Sequence, residues 1–225
     1  MRFSWHLGWV LSLACSLSWG QTSIRDQEIA ECRPGEIATW GDGQDRPAVS
    51  KPLSFVYWHA GAPDWFSEAE VMKTLRLASK AWSGCGVGSR VRLMAPEDDV
   101  PKGAIVVQWS EPGSMGNFGL ANLSRRTLAL SAAAFQLLRT RNPKHPAEEI
   151  LQMVISHEMG HFFGLMAHSR RCVDVTSYYH DGKGRQCFAR DPSQLKKFTE
   201  YRSTLPTACD IQRCRAANGL PPLAP

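Results

Sequence analysis

Long apolar runs are almost missing from these 225 residues. The one candidate, Leu7 to Leu17, is too short to cross a bilayer as a stable helix, and no later run could anchor the chain, so stable membrane insertion is not expected. Blocks of Lys and Arg are also lacking. The formal net charge is only +5 and is mixed along the chain without interleaved aromatics, which argues against a nucleic-acid partner. There is no internal repeat and no low-complexity segment. Paired Cys-x-x-Cys knuckles are absent, which disfavours a structural zinc held by the late cysteines. The length suits one sizeable domain better than two, and a monomer is expected.

The apolar stretch that does exist reads as an export signal. Arg2 supplies the positive start, Leu7 to Leu17 the apolar run, and Ser18-Trp19-Gly20 a small-residue cleavage site. The mature chain is therefore expected to be secreted or periplasmic. Six cysteines would remain: Cys32, Cys85, Cys172, Cys187, Cys209 and Cys214. An even count in an exported chain argues for three disulfides. Short spans favour Cys172–Cys187 and Cys209–Cys214, which leaves Cys32–Cys85 by elimination.

Residues 1–20 form the signal segment in this reading. Residues 21–52, polar and broken by glycine and proline, form an arm or short pro-segment. A folded domain covers 53–217, and 218–225 is a tail. Leu53 to Trp58 is rich in β-prone residues and reads as a strand. Ser67 and Glu70 make a capping box for a helix whose inward stripe is Val71, Leu75, Ala78 and Trp82, with Gly84 at its end. Val91 to Leu93 and Ala104 to Trp109 are strand candidates, the second apolar enough to be central. Leu120 to Ser131 holds one or two more strands, and Asp210 to Ala217 a terminal helix.

The most informative stretch is His157-Glu158-Met159-Gly160-His161, followed by Gly164 and His168. Histidines at i and i+4 share one helix face, so two imidazoles can grip one metal ion. Glu158 follows the first of them directly, where a carboxylate can act as general base on water. Ile150, Val154, His157 and His161 fall at helical spacing, which places the histidines on the apolar stripe. Unpaired imidazoles there would be costly unless a metal or hydrogen bonds satisfied them. Pro146 suits the helix start, with Glu148 and Glu149 complementing the dipole. Gly164 suits a left-handed stop that returns His168 toward the metal. The expected ligands are His157, His161 and His168 around one Zn2+. His180 is a further candidate by residue type, although a lone loop histidine is more often simply solvated.

These residues resemble the metzincin clan of zinc endopeptidases, whose signature is HExxHxxGxxH followed by a methionine-containing turn. Two departures stand out. Ala167 occupies the clan's third-ligand position, so His168 arrives one residue late. Asp174-Val175-Thr176-Ser177-Tyr178-Tyr179 is similar to the clan's turn, with Thr176 in the place of methionine. The His168-Ser169 pair looks like the close of the matrixin motif, while Ser177-Tyr178 resembles the astacin and serralysin turn. By that resemblance Tyr178 would stabilise an oxyanion. Gly119-Leu120-Ala121-Asn122 resembles the clan's Gly-Leu-Ala element on the edge strand above the zinc, where an extended polypeptide substrate could add as one more strand.

The clan's calcium loops and its Pro-Arg-Cys-Gly switch are not evident. The resemblance implies an α+β fold: a twisted mixed sheet and two main helices above a zinc cleft, with a smaller irregular lower subdomain. It implies a secreted zinc endopeptidase with Glu158 and Tyr178 as catalytic residues. A non-catalytic binding protein that keeps the fold, and a zinc amidase acting on cell-wall peptides, remain open alternatives.

Overall fold

The computed structural model describes residues 22–95 and 97–223. The expected signal segment therefore lies outside the described residues. The fold is α+β, built on one five-stranded mixed sheet. Its strands are β1 (Leu53–Tyr57), β2 (Ser89–Leu93), β3 (Ile105–Trp109), β4 (Gly119–Asn122) and β5 (Thr127–Leu130), in the order β2-β1-β3-β5-β4. β3 is central, and only the β4–β5 pair is antiparallel. An antiparallel edge on an otherwise parallel sheet needs only a short turn, and Asn122 supplies it. Its side-chain oxygen accepts from the Ser124 hydroxyl and the Arg125 N–H.

Two long helices pack together on the sheet: α2 (Glu68–Trp82) and α5 (Ala147–Phe162). α2 starts at the capping box of Ser67 and Glu70. It ends at Trp82, not at Gly84; one 3-10 turn, Ser83–Cys85, follows, and Gly86 takes the left-handed conformation (φ 83°). Trp82 ties the pair together. Its ring stacks on Phe163 at 5.5 Å and its indole N–H donates to the Ser156 carbonyl at 2.9 Å. Gly160 faces this ring, where a Cβ would sit 2.9 Å from the Trp82 side chain. Val71, Leu75, Trp82, Ile155 and Phe162 are fully buried in this layer. Burying each large apolar side chain contributes on the order of 1.5–3 kcal/mol.

Shorter helices are α1 (Ile24–Ala30), α3 (Glu111–Ser114), α4 (Ala132–Arg141) and α6 (Ala208–Ala217). Among the described residues no helix is long and apolar enough to cross a membrane.

Three disulfides close the fold, as suits an exported protein: Cys32–Cys209, Cys85–Cys214 and Cys172–Cys187. The expected Cys209–Cys214 and Cys32–Cys85 pairs are corrected. Cys209 and Cys214 lie five apart on α6, which turns their side chains about 140° away from each other. α6 is instead stapled on one side to the end of α1 and on the other to the turn after α2. Residues 22–52, expected as an arm or pro-segment, are threaded through the fold. Arg46 N–H donates to Gly164 C=O and Trp40 N–H to His168 C=O, so this segment braces the loop after α5.

Candidate metal centre

α5 carries His157 and Glu158 inward on a stripe with Ile150 and Val154, and all four are buried. Its last turn brings in His161. The chain then reverses at Gly164 (φ 110°), where a Cβ would collide with the Arg46 carbonyl. The reversal delivers His168. The ring centroids of the three histidines form a nearly equilateral triangle with separations of 5.2, 5.1 and 5.1 Å. One nitrogen of each lies within 4.8 Å of the others.

Every Nδ1 is engaged by an oxygen. His157 Nδ1–H donates to Val175 C=O at 2.8 Å and His161 Nδ1–H to Leu165 C=O at 2.7 Å. His168 Nδ1–H donates to Asp42 at 2.6 Å. An imidazole that donates from Nδ1 keeps its Nε2 lone pair free in the neutral form. His168 Nε2 is buried without a hydrogen-bond partner. Burial, followed by the neighbouring histidines, holds the His157 imidazole well below its ordinary pKa, and burial likewise takes His161 down to about 4. Three neutral imidazoles with convergent lone pairs fit a divalent metal with nitrogen preference, zinc above all. Their outer partners also fit, since metal-bound histidines commonly donate their other N–H to a carbonyl or carboxylate.

The turn beneath the histidines is held by two buried carboxylates. Asp210 accepts from Val175 N–H at 2.9 Å and from the Thr176 hydroxyl at 2.6 Å. Thr176, standing in the place of the clan's methionine, is therefore fully satisfied. The same Val175 whose carbonyl orients His157 is thus anchored through its N–H to the first turn of α6. Asp174 accepts from Ser169, Thr207 and Arg171, and burial beside Asp210 pushes its carboxyl above the ordinary range.

The histidines open into a cleft of about 340 Å³. Glu158 lines it, and burial raises its carboxyl to about 7 against the opposing hydrogen bond from Ala121 N–H at 2.7 Å. Tyr178 lines the opposite side with its ring stacked 3.7 Å from that of His168. Arg202 stands nearby, clamped by Glu200 through Nη2 at 2.6 Å. Gly119, Leu120 and Ala121 of β4 form one wall. Asn122 does not reach the cleft, because its side chain closes the β4–β5 turn. Gly119 is required there by close packing, since a Cβ would lie 3.0 Å from Glu158 Cγ and closer still to Val154. His180 does not join the cluster of His157, His161 and His168; its Nδ1 accepts from Gly182 N–H at 3.3 Å in an exposed loop.

The phase of β4 follows from one bond at its start. Phe118 C=O accepts from Ser131 N–H, and alternation along an antiparallel ladder then turns the N–H and C=O of Gly119 and Ala121 away from β5, toward the cleft. Of three residues that matter here, Asp42 and Arg202 carry no motif in the sequence, and Asp210 shows only as the capping-box partner of Thr207. For the first two, only the odd placement of Asp42 between Gly41 and Gly43 in a polar segment could have drawn notice.

No family model matches the chain, and no curated protein matches it. Among solved structures it is similar to the GM1-bound form of the ECX AB5 holotoxin, with 14% identity over 84% of this chain and 92% of that one, at a TM-score of 0.47. Likeness of that degree carries no chemistry from one chain to the other. No family model and no curated protein supports the metzincin family expected from the motif, and the matched structure is a toxin, so that family, and with it the matrixin-like endopeptidase, is corrected here. Neither assignment enters the functional reading, which rests on the site itself.

Proposed function

We propose that the protein is a zinc-dependent hydrolase acting at a carbonyl centre. The observation that supports this best is the histidine triangle: each Nδ1 is spent on an oxygen, so the Nε2 atoms of His157, His161 and His168 are left facing one another. When bound, zinc acidifies water toward neutral pH and polarises a carbonyl oxygen as a Lewis acid.

The chain's own residues supply the rest. Glu158, with its carboxyl near neutrality, takes the proton from the attacking water and returns it to the leaving group. Tyr178 keeps its hydroxyl proton, because burial and the charge of Glu158 raise its pKa. Its O–H is therefore a donor for the oxygen that gains negative charge. The fixed guanidinium of Arg202 adds positive potential on that side. β4 and the apolar side chains of Met153 and Leu123 exclude bulk water from the opposite wall.

The test is Glu158→Gln, assayed against a panel of amide and ester substrates alongside metal analysis. The variant is expected to retain one equivalent of zinc and to lose ~10²–10⁴-fold in rate. Unchanged hydrolysis, or a wild-type protein that takes up no zinc, would overturn the reading.

A further inference from the structure

Three hollows follow one another from the histidine cleft to the end of α4. The cleft over the histidines and a second hollow of about 480 Å³ share Phe118 as a wall. Ala134, Leu137 and Leu138 give the second hollow an apolar lining. A third, of about 390 Å³, continues from the second through Arg141 and Asn142, and Lys144, His145 and Thr199 close it.

The apolar part is unusually open. Leu137 is 48% exposed, and Met115, beside the Gly116 that also lines this hollow, is 73% exposed. Contiguous open apolar surface next to a cleft marks an interaction site more often than scattered exposure does.

The far end is cationic: Arg141 and Lys144 line it with no acidic residue, and the nearest acid in sequence, Glu148, lines an adjoining hollow with Arg139 and Lys144. Among the described residues, Arg141 and Lys144 make no ion pair. Arg139, two residues earlier on α4, lays its guanidinium over the Trp65 ring at 4.7 Å and likewise makes no ion pair. Lys196 and Lys197 end the 3-10 segment Pro192–Lys197, two residues before Thr199. Like charges gathered this way repel one another and favour an anionic partner. The fold creates the patch, since its two halves lie more than fifty residues apart in sequence.

We propose that the second and third hollows form an exosite for an extended polypeptide segment in which an apolar side chain is followed by carboxylates. The order is set by the groove: leaving the cleft past Phe118, a chain meets Leu137 and Leu138 first and Arg141 and Lys144 next. A polypeptide is favoured over other polyanions because the cleft end offers outward backbone groups, the N–H and C=O of Gly119 and the C=O of Ala121, that can pair with another backbone, the Ala121 N–H being taken by Glu158. Nucleic acid would want free rings for base stacking, whereas Trp65 is covered by Arg139 and Phe198 packs against Arg25 and Tyr201. This inference goes beyond the hydrolase reading, because a segment held here need not contain the bond that is cut.

The experiment uses the full zinc-loaded Glu158→Gln protein and short labelled peptides, read by fluorescence anisotropy. One peptide carries Leu followed by Glu residues; a second has Lys for Glu; a third has Ser for Leu. The acidic peptide is expected to bind about tenfold tighter than the Lys peptide, with affinity falling as salt rises. The Ser peptide is expected to bind more weakly than the Leu peptide. Arg141→Glu with Lys144→Glu, and separately Leu137→Asp, should each lose about tenfold in affinity while keeping zinc and the wild-type melting temperature. Equal binding of acidic and Lys peptides, indifference to the double variant, or binding of an oligonucleotide in place of the acidic peptide would overturn the exosite. Failure of the hydrolase reading shows elsewhere, in zinc content and Glu158→Gln rates, so the two are separable.

Discussion

Asp42 holds His168 twice: one carboxylate oxygen accepts from the imidazole Nδ1–H at 2.6 Å and the other from the backbone N–H of the same residue at 2.9 Å. A single side chain from the N-terminal segment therefore fixes both the position of the loop and the rotation of the ring. Carboxylates placed behind a metal-binding histidine typically tune affinity by ~10–100-fold. Asp42→Ala is accordingly expected to weaken zinc binding by about that factor in a chelator competition. His168→Ala should abolish tight binding and His180→Ala should leave it unchanged. Equal losses in the two histidine variants would mean that the ligand set is wrong.

Gly164 turns the chain where no other residue fits. Its φ of 110° is strained for any side chain, and a Cβ would strike the Arg46 carbonyl. Gly164→Ala is expected to cost ~1–3 kcal/mol, read as a lower denaturant midpoint, and to loosen zinc binding through displacement of His168. Full stability in this variant would show that the loop relaxes freely.

The acid response of the region around Arg171 and Arg190 should run through Glu36. Burial alone would raise its carboxyl, but hydrogen bonds from Arg190 and the Arg33 N–H, with the charges of Arg171 and Arg190, bring it down to about 2 from 4.5. A depressed carboxyl contributes stability that is fully present above the unfolded value and is lost as pH falls through the folded one. Wild-type stability should thus decline from pH 4.5 toward pH 2, and Glu36→Gln should flatten that part of the curve. A variant whose acid limb superimposes on wild type would remove Glu36 from this role.

Removal of the Cys32–Cys209 bridge, by Ser at both positions, should destabilise the protein by ~2–5 kcal/mol in thermal melts. It should also weaken zinc binding, because the freed segment carries Asp42. Opening Cys172–Cys187, which closes a span of 15 residues, is expected to cost less. If instead zinc affinity follows the 172–187 loop and ignores the long bridge, the N-terminal segment does not support the metal centre.

How much of this was legible depends on whether the signal was local. The start and inward stripe of α2, the central β3 and the grouping of His157 with His161 all follow from spacing within one element. α4 was missed because Ala132 to Arg141 buries only Phe135 and so shows no stripe. The 21–52 segment read as an arm because its contacts, through Asp42, Asp45 and Arg46, lie more than a hundred residues downstream. Two of the three cysteine pairings failed for the same reason, while Cys172–Cys187, local in sequence, formed as expected. Sequence proximity favoured Cys209–Cys214, whereas helical geometry points those two side chains apart. Asn122 was grouped with the cleft by its neighbours, yet an asparagine at a turn serves the backbone first.

α6 leaves the protein with a schedule. The carboxylate that holds Val175, and hence the ring of His157, arrives with Asp210, and the bridges that tie the N-terminal segment and the α2 turn in place arrive with Cys209 and Cys214. A nascent chain can display all three histidines and still lack the supports that aim them. Completion waits for the last helix and for an oxidising environment, so a half-made or reduced copy would be a poor competitor for metal inside the cell that makes it.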